Sequence, residues 1–87
     1  MILNDFLNLT YDYSVIRLVD AKTLKLVASS KVCAEIKNNS PELLALSITH
    51  INTEQYDDKG VTRTRFIVYL NGDEYAEIKA KKKGKSK

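Results

Sequence analysis

The chain is poor in the residues that build disulfide, zinc and phosphate sites. Its 87 residues include one cysteine, Cys33, one histidine, His50, one proline and three isolated glycines, with no tryptophan. One cysteine cannot form a disulfide within the chain, and a structural zinc site needs about four Cys or His ligands. No apolar run approaches the roughly 18 to 20 residues that a membrane-spanning helix needs. We therefore expect a cytoplasmic protein with no membrane attachment, metal or cofactor.

Cys33 is the only cysteine and His50 the only histidine, so these two residues could in principle form one nucleophile–base pair. A nucleophile needs a base within hydrogen-bonding reach. Cys33 lies among Val32, Ala34 and Ile36, in a segment typical of a core, where a free cysteine packs as a small hydrophobic residue. His50 follows an alternating apolar segment and is expected at the solvent end of its core face. The sequence thus predicts no catalytic residue and a protein that is not an enzyme.

Charge is distributed unevenly along the chain. The whole chain carries 14 basic and 11 acidic residues, but residues 1–78 hold eight basic and all 11 acidic residues, a net charge of −3. Six lysines fall within residues 79–87. This division predicts a single globular domain over residues 1–78 and a flexible, lysine-rich C-terminal tail over residues 79–87.

The first half of the chain alternates between helical and strand patterns. Residues 2–7 have apolar side chains at helical spacing, which predicts a short amphipathic helix. Residues 15–19 are β-branched and nearly all apolar, which predicts a central strand, and residues 24–29 alternate as its hairpin partner. Ser30 could cap a short helix that ends at Asn38-Asn39, or the strand could continue through Val32 and Ala34.

The second half reads as strands and turns. Alternation predicts one strand over residues 44–49 and another over residues 65–70, joined by a polar hairpin loop at residues 52–60 that projects beyond the core. Asn71-Gly72 predicts a type I′ turn before a last short strand at residues 75–78. The fold class predicted is α+β, with a small antiparallel sheet of four to five strands and one or two short helices on one face.

The projecting hairpin is the best candidate for a partner-binding site. It combines tyrosine and arginine, which are enriched in binding hot spots, with neighbouring aspartates. An ordinary exposed hairpin would have the same composition, so that reading stays open. The candidate partner-binding residues are Tyr56, Asp57, Asp58, Arg63 and Arg65.

The lysine-rich tail suggests an alternative site. Clustered lysines attract a phosphate backbone through counterion release, without reading the base sequence. They also simply keep a protein soluble, and the tail has no aromatic residue that could stack on a base. The candidate nucleic-acid-binding residues are Lys79, Lys81, Lys82, Lys83, Lys85 and Lys87.

The chain resembles small accessory proteins encoded by phages and prophages of low-GC Gram-positive bacteria. The likeness covers roughly residues 2 to 70 and includes the helix with Asp5-Phe6-Leu7, the strand from Tyr13 to Asp20, and the Pro41-Glu42-Leu43-Leu44 lead into Ile48-Thr49-His50-Ile51. It implies a non-enzymatic inhibitor or modulator of a host protein or ribonucleoprotein, such as an anti-CRISPR or other counter-defence protein, acting by steric occupation. It assigns no functional residue. We expect a monomer or homodimer.

Overall fold

The computed structural model describes residues 1–85, with the side chains of residues 1–29 and 31–80. The prediction of an α+β fold is confirmed within these residues. None of the helices there is both long and apolar enough to cross a membrane. The elements in chain order are α1 (Leu3–Leu9), β1 (Val15–Asp20), β2 (Leu26–Val32), α2 (Cys33–Asn39), a 3-10 turn (Pro41–Leu43), β3 (Ile48–Asp58), β4 (Val61–Leu70) and α3 (Gly72–Lys85).

The strands of the described chain form one four-stranded sheet in the order β2-β1-β4-β3. β1 pairs with β2 and β3 pairs with β4 in antiparallel hairpins, as the sequence predicts. The two hairpins join through β1 and β4, which run parallel from the Ile16–Phe66 pair to the Asp20–Leu70 pair. The prediction of an antiparallel sheet is therefore wrong for this central pair. Strand direction between distant segments depends on the route of the connecting chain, which local patterns do not encode.

The hydrophobic core lies on one face of the sheet. Ile16 and Leu18 of β1 and Val68 and Leu70 of β4 are fully buried there, because alternate residues of a strand point to the same face. α1, α2 and α3 each contribute side chains to this same core cluster. In the described chain all three α-helices thus pack on one face of the sheet.

The transition from β2 to α2 combines both alternatives that the sequence allows. β2 continues to Val32, and α2 begins at Cys33 with Val32 at its N-cap, where no side chain supplies a capping hydrogen bond. The expectation that Ser30 caps this helix is therefore wrong. Backbone groups replace the cap: the Cys33 amide donates to Ser14 O at 2.9 Å and the Ala34 amide to Asp12 O at 3.0 Å. A cap supplied by a distant loop leaves no local sequence signal.

The β3–β4 hairpin is longer than predicted and its turn is shorter. The predicted start of the strand at residue 44 directly follows a 3-10 turn at Pro41–Leu43, and β3 begins only at Ile48. β3 then continues through the predicted loop as far as Asp58. Lys59 and Gly60, with φ angles of 54° and 85°, form the two-residue turn. Positive φ at both turn residues is the type I′ geometry that matches strand twist. The polar residues predicted as loop form a strand with one exposed face, Thr53, Gln55 and Asp57, and one half-buried face, Glu54, Tyr56 and Asp58.

The predicted turn at Asn71-Gly72 is wrong, because Asn71 instead caps α3. Its Oδ1 accepts hydrogen bonds from the amides of Asp73 at 3.0 Å and Glu74 at 3.1 Å. Asparagine is among the best N-cap residues, and here that preference overrides the turn signal. The predicted last strand at residues 75–78 is therefore helical, and the predicted flexible tail is helical as far as Lys85. Ser86 and Lys87 lie outside the described residues.

Asp20 holds the turn that follows β1, and the start of α3 packs against its carboxylate. Its Oδ1 accepts hydrogen bonds from the amides of Lys22 at 2.8 Å and Thr23 at 3.3 Å. Gly72 lies directly against this carboxylate. Nearby, Glu74 accepts the Ser47 amide at 2.7 Å and the Ser47 hydroxyl at 3.1 Å, which ties α3 to the segment before β3.

We expect Gly72→Ala to destabilise the fold by about 1 to 3 kcal/mol, the usual cost of overpacking a filled site. The added Cβ would contact the Asp20 carboxylate and lie 2.6 Å from Lys22 Cβ. Urea unfolding of the variant against the natural chain measures this cost. A loss below about 0.5 kcal/mol, the range of ordinary surface substitutions, would contradict the close packing.

We expect Asp20→Asn to lose stability relative to the natural chain at neutral pH, with the difference narrowing in acid. Burial alone would raise the pKa of Asp20, but the amides of Lys22 and Thr23, the Thr23 hydroxyl and the Lys79 charge together lower it. A lowered folded-state pKa gives stability that is present above about pH 3.9, the ordinary Asp value, and is lost as the pH falls through the lowered pKa. Thermal unfolding between pH 2 and 7 tests this, and a constant difference would contradict it.

Candidate protein-binding surface

The sheet face opposite the helices is here called the open face. Because Ile16, Leu18, Val68 and Leu70 point into the core, the alternate residues of β1 and β4 point to the open face. Cross-strand pairing adds residues of β3 and β2. The open face carries Val15, Arg17, Val19, Leu26, His50, Asn52, Glu54, Tyr56, Asp58, Arg63, Arg65, Ile67 and Tyr69.

One end of the sheet extends as a two-stranded ribbon, defined as residues 53–65. β1 pairs with β4 only from Phe66 onward, so the preceding part of β4 is bonded to β3 alone. A two-stranded ribbon is at best marginally stable in water. Side-chain contacts between its two strands must therefore contribute to the stability of the ribbon. These contacts also define its surface.

Four of the five predicted partner-binding residues come together on the open face of this ribbon. Arg65 Nε lies 3.0 Å from Glu54 Oε1, and the Arg65 guanidinium carbon lies 4.2 Å from the centre of the Tyr56 ring. Arg63 Nε lies 2.8 Å from Asp58 Oδ2. The side chains thus form two contacting groups, which lie next to each other in one row because Tyr56 is the cross-strand partner of Arg63.

Asp57 is the predicted residue that does not join this row. It pairs with Thr62, and the alternation of β3 directs it to the opposite face of the ribbon. The Gln55–Thr64 pair occupies that same opposite face. The ribbon therefore has a tyrosine- and arginine-rich side and a side of small polar residues.

The contacts within the row are individually modest. Exposed ion pairs contribute about 0.2 to 1 kcal/mol each, and an exposed cation–π contact about 0.5 to 1 kcal/mol. Arg65 is the best covered member, with a side chain 16% exposed, while the Arg63 side chain is 57% exposed. The row brings tyrosine, arginine and carboxylate side chains together on one face of the ribbon.

The ribbon carries no net charge. Its three acidic residues, Glu54, Asp57 and Asp58, are balanced by Lys59, Arg63 and Arg65. Both arginines already face carboxylates at 3.0 Å or less. A phosphate backbone would meet a carboxylate beside each arginine and be repelled by it, so the ribbon's chemistry suits a protein surface better than a nucleic acid.

His50 lies on the open face, and the expectation that it ends the core face is wrong. A register shift between Ile48 and His50 changes the alternation at that point. The His50 ring stacks on Tyr69, with centroids 4.0 Å apart and planes at 14°. The Thr49 hydroxyl within the irregular step donates to Tyr69 O at 3.1 Å. A one-residue irregularity of this kind has no reliable sequence signal.

A shallow depression on the open face was missed by sequence reasoning. It has a volume of about 550 Å³ and is lined by Arg17, Val19, Leu24, Leu26 and Ser29. Leu24 and Leu26 are alternate apolar residues of a predicted hairpin strand, and that alternation predicts that both side chains are buried. The available signal was Arg17 inside an otherwise apolar strand, because a charge there marks the uncovered face.

Cys33 and His50 lie on opposite sides of the sheet. The Cys33 thiol is fully buried in the core and donates to Leu7 O at 3.4 Å, so the prediction of a core cysteine is confirmed. His50 is exposed on the open face. Among the residues whose side chains are described, no three His, Cys, Asp or Glu are grouped to hold a metal ion. Cys33 and His50 therefore do not form a nucleophile–base pair.

The lysines of the alternative site follow the C-terminal part of α3. Lys79 is exposed, with its Nζ 5.1 Å from the centre of the Tyr75 ring. The side chains of Lys81, Lys82, Lys83 and Lys85, and the whole of Lys87, lie outside the described residues. The backbone alone shows that residues 79–85 continue the helix.

The chain matches no protein-family model, no curated protein and no solved structure. The resemblance to phage accessory proteins therefore stays a prediction.

Proposed function

We propose that the protein is a non-catalytic binding module that attaches to a partner protein through the open face of the ribbon. The observation that carries this proposal is the row formed by two contacting groups, Glu54 with Arg65 and Tyr56, and Arg63 with Asp58, on one side of a projecting element. The ribbon has no role in covering the core, since the core cluster contains none of these residues. A marginally stable ribbon that does not cover the core indicates a surface for contact with another molecule.

The composition and order of the row support binding. Tyrosine and arginine are enriched in hot spots because they bury large areas and make directed hydrogen bonds. Side chains that are already fixed lose less conformational entropy on association, and that entropy otherwise costs about 0.5 to 1.5 kcal/mol for each immobilised side chain. The row thus offers a partner a surface that needs little rearrangement.

The proposed mode of action is steric occupation of a functional surface on a host protein or ribonucleoprotein. The resemblance to phage accessory proteins leads us to propose a cytoplasmic defence component, such as a CRISPR–Cas protein, as the target. Residues 1–78 carry a net charge of only −3, far from the dense charge of a nucleic acid, which has one negative charge per roughly 1.7 Å of duplex. Shape and specific contacts, more than charge mimicry, would therefore determine the choice of partner.

A charge-exchanged variant, Asp58→Arg with Arg63→Asp, should weaken partner binding by at least about thirtyfold, the effect of losing a hot spot. The exchange keeps an ion pair within the ribbon but reverses the charges that a partner meets. Stability should change by no more than about 0.5 kcal/mol, because the pair is largely exposed. The measurements are affinity for the protein captured from a nuclease-treated bacterial lysate, and thermal unfolding.

The matched control is Gln55→Ala with Thr64→Ala, which alters a cross-strand pair on the opposite side of the same ribbon. This control should bind as the natural chain does. Undiminished binding by the charge-exchanged variant would contradict the proposal, and so would equal losses in the variant and the control.

A second candidate function, attachment to nucleic acid, is favoured by one observation. The lysine-rich segment continues α3 from the domain as far as Lys85. This candidate would have the lysines hold the protein on a phosphate backbone, independently of base sequence.

Replacing Lys81, Lys82, Lys83, Lys85 and Lys87 together by Gln tests this second function without shortening α3. If the lysines bind nucleic acid, retention on duplex DNA should fall by orders of magnitude at low salt, and the salt dependence should flatten. Electrophoretic mobility shifts over a range of salt concentrations measure both. Unchanged retention and salt dependence would eliminate this function.

A further inference from the structure

The depression between β1 and β2 has apolar walls that the core does not use. Leu24 is 70% exposed and Leu26 is 56% exposed. Val19 is buried but does not belong to the core cluster, because it points to the open face. Large exposed aliphatic side chains that meet around one hollow are a typical feature of contact surfaces.

The backbone holds Leu24 in an unfavourable conformation. Its φ angle is 62°, a left-handed value that costs a residue other than glycine roughly 1 to 2 kcal/mol. The surrounding turn imposes this value: the Leu24 amide donates to Asp20 O at 2.7 Å, and Asp20 Oδ1 accepts the amides of Lys22 and Thr23. A strained residue whose side chain is left exposed is typical of ligand-contact segments.

Arg17 supplies the charge of the depression. It is half-buried on the central strand β1, next to the aliphatic walls. In the part of the chain with described side chains, the ion pairs join Lys22 to Asp73, Arg63 to Asp58 and Arg65 to Glu54, and Arg17 takes part in none of them. A guanidinium in partly apolar surroundings is complementary to a carboxylate, with which it forms two parallel hydrogen bonds.

We infer that this depression, here called the Arg17 depression, binds a partner-protein segment that carries a carboxylate side chain beside an aliphatic one. The carboxylate pairs with Arg17, and the aliphatic group packs among Val19, Leu24 and Leu26. This inference rests on the proposed function and specifies the chemistry of its partner. Arg17 pairs with Ile67, which is two residues, or about 7 Å, along β4 from Arg65. One partner can therefore contact the ribbon and the depression together.

The probes are two capped peptides of sequence SLELS and SLQLS, titrated into the ¹⁵N-labelled full chain. The glutamate peptide should shift the amide resonances of Arg17, Val19 and Leu26 saturably. The glutamine peptide should bind about fivefold more weakly, since a charged hydrogen bond contributes about 1 kcal/mol more than a neutral one. Equal binding of the two peptides would overturn the inference.

Two variants and a control locate the binding. Arg17→Gln should abolish the preference for glutamate, and Leu24→Asn should weaken both peptides, because asparagine tolerates positive φ but removes the aliphatic wall. The control Lys37→Gln removes one positive charge from α2, on the helix-covered side, and should bind both peptides as the natural chain does. Thermal unfolding verifies that each variant is folded.

The outcomes separate this inference from the proposed function. Resonance shifts confined to the ribbon, or a preference for the glutamate peptide that persists in Arg17→Gln, would overturn the inference and leave the ribbon proposal standing. The ribbon proposal is tested by a different measurement. It fails if the charge-exchanged variant binds the captured protein as tightly as the natural chain does. Displacement of the glutamate peptide by a deoxythymidine oligonucleotide at the same amides would overturn the inference in favour of a nucleic-acid surface.

Discussion

The parallel pairing of β1 with β4 joins the two hairpins and determines where the ribbon begins. β1 has six residues and β4 has ten, and they are in register only from Phe66 to Leu70. The unmatched part of β4 can pair only with β3, so the ribbon is a direct result of the difference in strand length. The same pairing sets Arg17 beside Ile67 and so joins the two hairpins into one continuous open face.

The short chain provides enough helices to cover only one face of the sheet. Small domains bury a smaller share of their surface than large ones, and here α1, α2 and α3 all contribute to one core cluster. The open face therefore has to be compatible with water, and Arg17, Glu54 and Arg65 serve that purpose. Leu24 and Leu26 are exposed aliphatic side chains, so the Arg17 depression is an apolar patch within a mostly polar surface.

Periodic patterns in the sequence predict the elements whose burial is one-sided. The apolar spacing of residues 2–7 identifies α1, and the β-branched run at residues 15–19 identifies β1 as a central strand. Prediction failed where a distant group decides the local structure. Carbonyl groups of the loop before β1 accept hydrogen bonds from the first amides of α2. Asn71 caps α3, and the first residue of α3 packs against Asp20 at the end of β1.

The candidate site was predictable in composition and only partly in geometry. Tyrosine and arginine in a polar hairpin indicated a contact surface, but the register of β3 with β4 decides that Asp57 faces away from Tyr56 and Arg63. The position of His50 depends on a single irregular step in β3, and the Arg17 depression depends on a left-handed Leu24. Such features arise from the assembled backbone, so no short pattern of residue types contains them.

The burial of Cys33 gives the protein an internal probe of its own dynamics. The thiol lies at the start of α2, and its contacts are Leu7 O at 3.4 Å, at the end of α1, and the Thr10 hydroxyl at 3.6 Å. A thiol reagent can reach this buried sulfur only when the packing around it opens, so the rate of chemical labelling reports how often the core opens at this point. Because the chain has a single cysteine, the signal comes from one site. Opening of the core can thus be followed without introducing any label into the open face.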